Sequence, residues 1–261
     1  MLATRLSPSR ASDFKQCPQL YKFRVVDKLP EPPSRAMLQG TIVHHILEKL
    51  FELAPDQRTL ETAISRIEDA IAAHEEELRS LPEVADSESE SDADLVRSQV
   101  ADFVREMLEA YFVLEDPSLI EPVARELRLH GDLNGASVVG VIDRLEQDFE
   151  GAYVVSDYKT GKAPPANYQE KAFFGLRVYA ALLEASDDFG AAPKRLRLIY
   201  LKSREILEMD IDQGHLRGTK SQMAAISKAI ETAIELDNWP PSPGKLCDWC
   251  YFKPICPAFQ S

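Results

Sequence analysis

The sequence predicts an α/β domain in which helices flank a mixed central sheet. Three observations support this class: amphipathic helical patterns fill the first 114 residues, three consecutive β-rich segments follow, and strand and helix patterns alternate after them. Consecutive strands joined by short turns are typical of a mixed sheet, whereas a doubly wound parallel sheet needs a helix after each strand. We expect one domain over 1–261, because this length suits a single large core.

Helical patterns come first along the chain. Ser9 precedes the segment RASDFKQCPQLYKF and is the expected N-cap of the first helix. Two later apolar stripes flank the acidic run 83–94, which carries no basic residue and which we interpret as a solvated loop. We interpret the region of about 54–116 as a helical insertion. Helices are expected over 6–23, 37–53, 60–81 and 95–114.

Strand patterns begin after this region. Alternating and β-branched segments predict three successive strands, with Gly151 in the turn between the second and the third. Pro240, Pro241 and Pro243 end the last helix, and the segment of about 239–261 holds most of the cysteines. Strands are expected over 122–131, 136–147, 152–160, 195–203 and 206–212, and helices over about 166–185 and 214–237.

Charge and hydropathy limit the location and the partners. The net charge of −13 argues against a broadly basic nucleic-acid surface, although basic residues occur in groups that leave room for a local DNA groove. No run approaches about 18 apolar residues, so no transmembrane helix is expected, and the amino-terminal sequence lacks the apolar core of a signal peptide. We therefore expect a cytoplasmic protein without a membrane partner, whose cysteines stay reduced.

Two aspartates and a lysine in the three-strand region suggest metal-dependent chemistry. Asp143 and Asp157 lie on neighbouring predicted strands, and Lys159 shares a face with Asp157 because side chains alternate along a strand. Carboxylates suit Mg²⁺ or Mn²⁺, which could activate water for attack on a phosphate. The alternative is a surface ion pair between strands, which is the commoner role of an isolated Asp-x-Lys sequence.

The four cysteines indicate a second metal centre. Cys247, Cys250 and Cys256 are close enough in sequence for one loop to surround a soft metal, and Cys17 would complete a set of four thiolates. Such a centre would fix the first helix to the carboxyl-terminal segment and would couple metal binding to folding. The spacing leaves a [4Fe-4S] cluster, a zinc ion and free thiols open.

Five motifs in order resemble one known family. The segments LSPSRASDFKQCPQLYKF, GTIVHHILE, GVIDRL, SDYKTGK and CDWCYFKPICP together resemble the RecB-like branch of the PD-(D/E)XK nuclease superfamily. This branch includes the exonuclease domains of RecB and AddB and the CRISPR-associated exonucleases. The resemblance covers almost the whole chain and implies a restriction-endonuclease-like core. It also favours a structural [4Fe-4S] cluster over zinc for the four cysteines.

The resemblance assigns roles to individual residues. Lys159 would be the catalytic lysine, with Asp143 and Asp157 as its acidic partners. His45 is expected to have a structural or supporting role. Glu126 could hydrogen-bond near the site, but an ordinary strand position is the favoured interpretation. The ligands of Mg²⁺ or Mn²⁺ would be His44, Asp143, Asp157 and the backbone carbonyl of Tyr158.

One position departs from the family pattern. The family carries a Gln-x-x-x-Tyr pair on the helix after the lysine strand, and this chain has Tyr179 but Gly175 in place of the glutamine. Lys171 or Arg177 is therefore expected to contact DNA instead. The departure affects the positioning of DNA and leaves the expected metal ligands intact.

These residues predict a metal-dependent DNA exonuclease that acts on single-stranded DNA or duplex ends in DNA repair or recombination. The alternative is a catalytically weak or inactive DNA-binding subunit, or an adaptor of a repair helicase, and the acidic composition and Gly175 favour it. The sequence contains no Gly-x4-Gly-Lys-Ser/Thr loop, so unwinding would require a helicase partner.

Overall fold

A five-stranded mixed sheet forms the centre of the computed structural model, which describes residues 5–86 and 90–260. The strands lie in chain order, and only the third and fourth run parallel, so the expected fold class is confirmed. The crossover between those two strands is helical, as parallel pairing requires. The strands are β1 (Ala124–Leu133), β2 (Ala136–Gln147), β3 (Tyr153–Lys159), β4 (Arg195–Tyr200) and β5 (Glu205–Asp210).

Helices cover both faces of this sheet. The α-helices are α1 (Pro8–Gln16), α2 (Pro18–Tyr21), α3 (Arg35–Leu50), α4 (Leu60–Ser65), α5 (Ile67–Ala73), α6 (Glu75–Arg79), α7 (Pro82–Ala85), α8 (Glu90–Leu114), α9 (Ala166–Ala172), α10 (Phe174–Ala185) and α11 (Gln213–Leu236). A π-helix spans Lys22–Val26, and 3-10 turns span Pro55–Gln57, Pro117–Leu119, Lys245–Trp249 and Lys253–Ile255.

Two hydrophobic cores lie on opposite faces because side chains alternate along the strands. In the first core, α1, α10 and α11 pack with Val155, Leu196 and Leu198. In the second core, α3 and α8 pack with Tyr158 and Ile199, and the short helices α4 to α7 surround this pair. Odd and even positions of one strand therefore face different helical layers.

A two-residue turn fixes the pairing of β1 with β2. Asn134 and Gly135 have φ values of +55° and +90°, the left-handed geometry that favours this dipeptide in tight hairpins. Pairing starts at Leu133 and Ala136 and continues in one register to Ala124 and Leu145. The same register sets Glu126 opposite Asp143.

The pairing of β2 with β3 is short. It extends over four residues of each strand and ends at Arg144 and Ser156. Beyond this point the strands diverge, and the amide of Tyr158 donates to the carboxylate of Asp143 (2.9 Å) rather than to a backbone carbonyl of β2. The amino-terminal residue Leu6 forms a parallel bridge with β2 further along. The divergence leaves an opening between two adjacent acidic strands.

The first predicted helix, over 6–23, is interrupted. Cys17 has an extended backbone (φ −161°, ψ 111°) and separates α1 from α2, because the residue before a proline disfavours helical geometry. The N-cap is also Ser7 and not Ser9: its hydroxyl accepts from the amide of Arg10 (3.2 Å). The break leaves the Cys17 side chain at the junction of two helices.

Other helices differ in extent from the sequence prediction. The expected helix over 60–81 is three short helices, separated at Arg66 and His74, and 166–185 is divided at Phe173. The acidic run expected to be a loop is partly helical, because α7 includes Glu83 and α8 begins at residue 90. Acidic residues stabilise the first turn of a helix through its dipole. Residues 87–89 of that run lie outside the described residues.

Within the described ranges, every helix is too short or too polar to span a membrane.

Candidate functional site

A cavity of about 620 Å³ opens where β2 and β3 diverge. Its wall combines one side of α3 with His74, with neighbouring positions of β1, β2 and β3, and with one side chain from α10. Most side chains that the sequence selected for metal binding and catalysis meet here. They are His44, Asp143, Asp157, Lys159 and Tyr179, and Glu126 lies with them.

His44 connects helix α3 to both diverging strands. Its Nε2 lies 3.0 Å from the carbonyl oxygen of Tyr158, to which it donates. Its Nδ1 lies 3.3 Å from Asp143 Oδ2, the same oxygen that accepts from the Tyr158 amide. His44 precedes Asp143 by almost one hundred positions in the sequence, and these contacts hold it against the two acidic strands. The Tyr158 backbone takes part in two hydrogen bonds here: its carbonyl accepts from His44, and its amide donates to Asp143.

Three side chains in the cavity could hold a metal ion. The ligand atoms of His44, Glu126 and Asp143 all lie within 4.8 Å of one another, and this is the one such group of His, Cys, Asp and Glu among the described residues. An imidazole with two carboxylates and a nearby carbonyl suits Mn²⁺ or Mg²⁺. The donor set therefore suits a hard divalent cation, but it differs from the expected set, because Glu126 belongs to the group and Asp157 does not.

Glu126 is more than an ordinary strand residue. An ordinary strand position was the favoured interpretation, but counting outward from the Asn134–Gly135 turn sets Glu126 opposite Asp143. Glu126 has φ +43°, and the β1–β2 pairing omits this residue and Asp143 while continuing on both sides. A left-handed glutamate costs about 1–3 kcal/mol, and such strain is concentrated at functional sites.

Asp157 and Lys159 form an ion pair on the floor of the cavity. Lys159 Nζ lies 2.5 Å from Asp157 Oδ2, and Asp157 is only 5 % exposed. Burial and the charge of Asp143 raise the pKa of Asp157 to about 6, although Lys159 opposes the shift. Burial would lower the pKa of Lys159, but the charge of Asp157 raises it overall. Lys159 is therefore an ammonium at neutral pH.

The pKa values of Asp143 and His44 are shifted in the direction opposite to the one that burial alone would give. Burial favours neutral Asp143, yet its hydrogen bonds with His44 and with the Tyr158 amide lower its pKa overall. Burial favours neutral His44, yet the hydrogen bond to Asp143 and the charge of Asp143 raise its pKa. The two aspartates on adjacent strands thus have pKa values shifted in opposite directions.

Tyr179 reaches the cavity because β2 has a glycine beneath it. A Cβ at Gly140 would lie 2.7 Å from two atoms of the Tyr179 ring, which is closer than real side chains come. The position of the family's glutamine lies elsewhere, since a Cβ at Gly175 would lie 3.8 Å from Pro8 of α1. Tyr179 is thus in place without its usual partner on the same helix.

The two basic residues expected to replace that glutamine do not line this cavity. Lys171 lies with its Nζ 5.5 Å from the ring centre of Tyr168. Arg177 lines a different cavity, of about 370 Å³, with Asp212 and His215 from the start of α11. The side chains of Arg177 and Tyr179 point in different directions because they are two positions apart on one helix.

A pair of histidines lines the same cavity. His45, expected to have a supporting role, lines the cavity and contacts His74 edge to face, with ring centres 5.6 Å apart. His74 comes from the junction of α5 and α6, and Glu48 of α3 lies beside the pair. The sequence carried no signal for His74, because its position depends on how separate short helices pack.

The four cysteines come together at the other end of the structure. All of them lie within described residues, all are free thiols, and all line one cavity of about 220 Å³. Cys17 Sγ accepts a hydrogen bond from the amide of Ser242 (3.4 Å), and buried Phe252 packs near Cys17, Cys250 and Cys256. The break between α1 and α2 therefore faces the carboxyl-terminal segment.

The spacing of these thiols differs from that of a compact metal site. Among the described residues, no three cysteine Sγ atoms lie within 4.8 Å of one another. Zn–S bonds of about 2.3 Å would bring tetrahedral thiolates closer together than this. Four soft donors around one cavity fit a metal centre.

Solved structures with similar folds include a nuclease candidate. A protein described as a "Putative exonuclease" from Eubacterium rectale is 14 % identical, with a TM-score of 0.50 over 94 % of this chain and 86 % of that one, which supports the fold. The protein SSO0001 is 16 % identical over 86 % of this chain and 96 % of that one, with a TM-score of 0.39, which supports no inference. None of the curated proteins matches the chain significantly.

A family comparison agrees with the geometry of the cavity. The family model described as "PD-(D/E)XK nuclease superfamily" matches residues 5–257, which include α3, the acidic strands and all four cysteines. The match therefore covers both groups of candidate ligands. The chain belongs to the PD-(D/E)XK nuclease superfamily.

Proposed function

We propose that this chain is a Mg²⁺- or Mn²⁺-dependent deoxyribonuclease of the RecB-like type, acting as an exonuclease on single-stranded DNA or duplex ends. One observation carries the proposal. The potential ligand atoms of His44, Glu126 and Asp143 lie within 4.8 Å of one another, in the same cavity as the Asp157–Lys159 ion pair. A metal-binding group beside a buried acid and a charged lysine is the arrangement that phosphodiester hydrolysis requires.

Each side chain has a separate task in this proposal. His44, Asp143, Asp157 and the Tyr158 carbonyl hold the divalent ion, and Glu126 adds a carboxylate from the facing strand. The bound ion supplies Lewis acidity for water activation and for neutralising charge on the scissile phosphate. Lys159 remains protonated beside Asp157 and therefore stabilises negative charge that develops on the phosphate oxygens. An ammonium cannot accept a proton, so Lys159 orients water or phosphate and does not act as the base.

DNA positioning involves the wall of the cavity. Tyr179 lies above Gly140 and could contact the sugar or base next to the scissile phosphate. Lys171 and Arg177, outside the cavity, would contact the strand further from the metal. These contacts would replace those of the glutamine that Gly175 lacks. The net charge of −13 makes such local cationic contacts necessary for DNA binding.

The cysteine cavity would hold a structural [4Fe-4S] cluster. The support comes from the four cysteines, which line one cavity without forming a disulfide, and from their resemblance to the family's cluster motif. The cluster would hold α1 and α2 against the carboxyl-terminal segment. Zinc is the alternative metal. A brown anaerobic preparation that contains iron and sulfide supports the cluster, and a colourless preparation that contains zinc rejects it.

End-labelled single-stranded and duplex DNA tests the proposed activity directly. With Mn²⁺ or Mg²⁺ we expect stepwise shortening, and we expect Lys159→Ala to lower kcat by about 100- to 1,000-fold, as loss of one charge-stabilising group does. The assay belongs near pH 8, since removing Lys159 raises the pKa of Asp157 further. The matched control is Lys162→Ala, an exposed lysine three positions along the same segment.

A DNA-binding subunit or adaptor without catalysis is the second candidate, and Gly175 is the observation that favours it. Wild-type protein with its metal bound, unable to cut DNA but still able to bind it, would support that candidate. Unchanged DNA binding in Asp157→Ala would strengthen it. A role in repair or recombination, a helicase partner and a cytoplasmic location belong to the same proposal and await pull-down and localisation experiments.

A further inference from the structure

A set of charged side chains lies buried beneath the catalytic cavity. Arg144 is only 1 % exposed and donates to both oxygens of Glu115, at 2.8 and 2.9 Å. Glu146 accepts from Arg144 at 3.2 Å, and Arg197 donates to Glu115 at 2.7 Å. We call Glu115, Arg144, Glu146 and Arg197 the buried charge network. Arg197 is partly exposed and also donates to Glu208 of β5 at 3.1 Å, so the network continues toward the surface.

The network and the metal ligands occupy opposite faces of the same two strands. Arg144 directly follows Asp143 on β2, and Tyr158 directly follows Asp157 on β3. Because successive side chains point to opposite faces, the aspartates face the cavity while Arg144 and Tyr158 face α8. The backbone of β2 and β3 therefore separates the network from the cavity at this level.

Tyr158 connects these two faces. On the buried face, its hydroxyl accepts from Arg144 at 2.8 Å, and its ring is packed edge to face against Tyr111, with centres 5.7 Å apart. On the cavity face, its amide donates to Asp143 and its carbonyl accepts from His44. The strands have already diverged here, so Tyr158 does not pair with β2, and its strand is held on the other side only, by the parallel pairing of β3 with β4 that sets Tyr158 opposite Ile199.

We propose that Arg144 is a positioning residue for the metal centre: it holds the Tyr158 hydroxyl and so fixes the Tyr158 backbone that orients Asp143 and His44. The inference rests on the metal-binding part of the proposed function. It also links the metal centre to Glu115, which follows the last residue of α8, so that the second helical layer contributes to ligand geometry. Partners that orient metal ligands typically change metal affinity by about 10- to 100-fold when they are lost.

Tyr158→Phe tests the inference with little disturbance. The variant keeps the ring and the backbone, and Arg144 keeps its contacts with both glutamates. We expect the dissociation constant for Mn²⁺, measured without DNA by titration of the free-ion electron paramagnetic resonance signal, to rise about tenfold. Replacing Arg144 itself is less informative, because it would leave buried glutamates unpaired.

Tyr111→Phe is the matched control. The Tyr111 hydroxyl also lies near the same nitrogen of Arg144, at 3.3 Å, and Tyr111 is equally buried, but its backbone belongs to α8. Thermal unfolding of both variants separates stability from metal affinity. Weaker Mn²⁺ binding in Tyr158→Phe alone, at similar melting temperatures, supports the inference. Equal Mn²⁺ affinity in both variants and the wild type overturns it.

Failure of the inference can be told from failure of the proposed function. Wild-type protein that binds Mn²⁺ but does not cut DNA contradicts the nuclease while leaving the role of Arg144 testable by the same titration. Wild-type protein that does not bind Mn²⁺ overturns both. A protein that cuts DNA and binds Mn²⁺ equally well with Phe at position 158 overturns the positioning role alone.

Discussion

Two aspartates on adjacent strands have different electrostatic surroundings. Asp143 is surrounded by donors, namely His44 and the Tyr158 amide, which stabilise its negative charge. Asp157 has one cationic partner, Lys159, and faces the charge of Asp143 within a buried pocket. In the absence of metal, protonation of Asp157 therefore relieves most of the repulsion. If Asp157 holds the divalent cation as proposed, the cation would relieve the same repulsion and would compete with that proton below about pH 6.

Metal affinity should fall in mild acid. The pKa of Asp157 is raised to about 6, so below this pH a proton competes with the metal, whereas above it the carboxylate is free to bind. One such proton weakens binding about tenfold between pH 7 and pH 5. The pKa of His44 is also raised, so its proton acts in the same direction.

Mn²⁺ titrations across this range check the expectation. Circular dichroism at each pH controls for unfolding, and constant ionic strength controls for screening. An affinity that stays constant from pH 7 to pH 5 in folded protein would contradict the electrostatic account of Asp157.

Helix α10 and strand β2 meet at one unusually close contact. The ring of Tyr179 occupies the space that a side chain at position 140 would need, so the glycine determines how near the helix approaches the sheet. This contact also delivers the Tyr179 side chain to the catalytic cavity. Packing and site geometry therefore depend on the same residue.

Gly140→Ala should disturb both the packing of α10 on the sheet and the position of Tyr179 in the cavity. The added methyl group would lie 2.7 Å from two ring atoms of Tyr179, and overpacking of this kind costs about 1–3 kcal/mol. We expect a lower free energy of unfolding in urea and weaker DNA cleavage. Gly218→Ala is the control: that glycine lies within α11 with open space around its Cβ direction, and alanine there should stabilise the helix by up to about 1 kcal/mol. Equal stability of the two variants would refute the packing argument.

The strands were more predictable than the helices for a physical reason. β2 was expected over 136–147 and has these bounds, because alternation and the flanking turns define a strand locally. The break at Cys17 follows from Pro18 and could have been anticipated. The subdivision of 60–81 depends on packing against α3 and α8, which a single apolar stripe does not encode.

The same distinction applies to the site. His44, Asp143, Asp157 and Lys159 belong to motifs, and the structure brings them into one cavity. Glu126 required the register of a hairpin, a calculation that the Asn134–Gly135 turn permits. His74 required the tertiary arrangement of short helices. The division into one domain with an inserted helical region stays a prediction.

At the scale of the whole molecule, segments that are distant in the sequence meet at two places. Helix α3 contacts β2 and β3 at the catalytic cavity, and the α1–α2 junction contacts the carboxyl-terminal segment at the cysteine cavity. The second contact has a small apolar core of its own, formed by Leu20, Phe23 and Phe252. A core this small suggests that ligands at the cysteines supply much of its stability.

Cys17→Ser should therefore destabilise the protein by more than the loss of the local contacts of Cys17 would. We expect loss of bound metal and a free-energy loss of at least about 2 kcal/mol, which corresponds to roughly 4–8 °C in melting temperature for a protein of this size. Gln16→Ser, at the exposed neighbouring position, is the control. Metal content and melting temperature together decide the matter, and a Cys17→Ser protein that retains both would exclude a ligand role for this cysteine.

The turn at Asn134 and Gly135 leaves little tolerance for length variation. Adding one amino acid between these positions would slide β1 past β2 by a single step or force a bulge. A slide would rotate Glu126 away from Asp143 and would expose Leu129 and Leu133 to water, since each step along a strand inverts the face. The two-residue length of this connection is thus a condition for bringing Glu126 and Asp143 together.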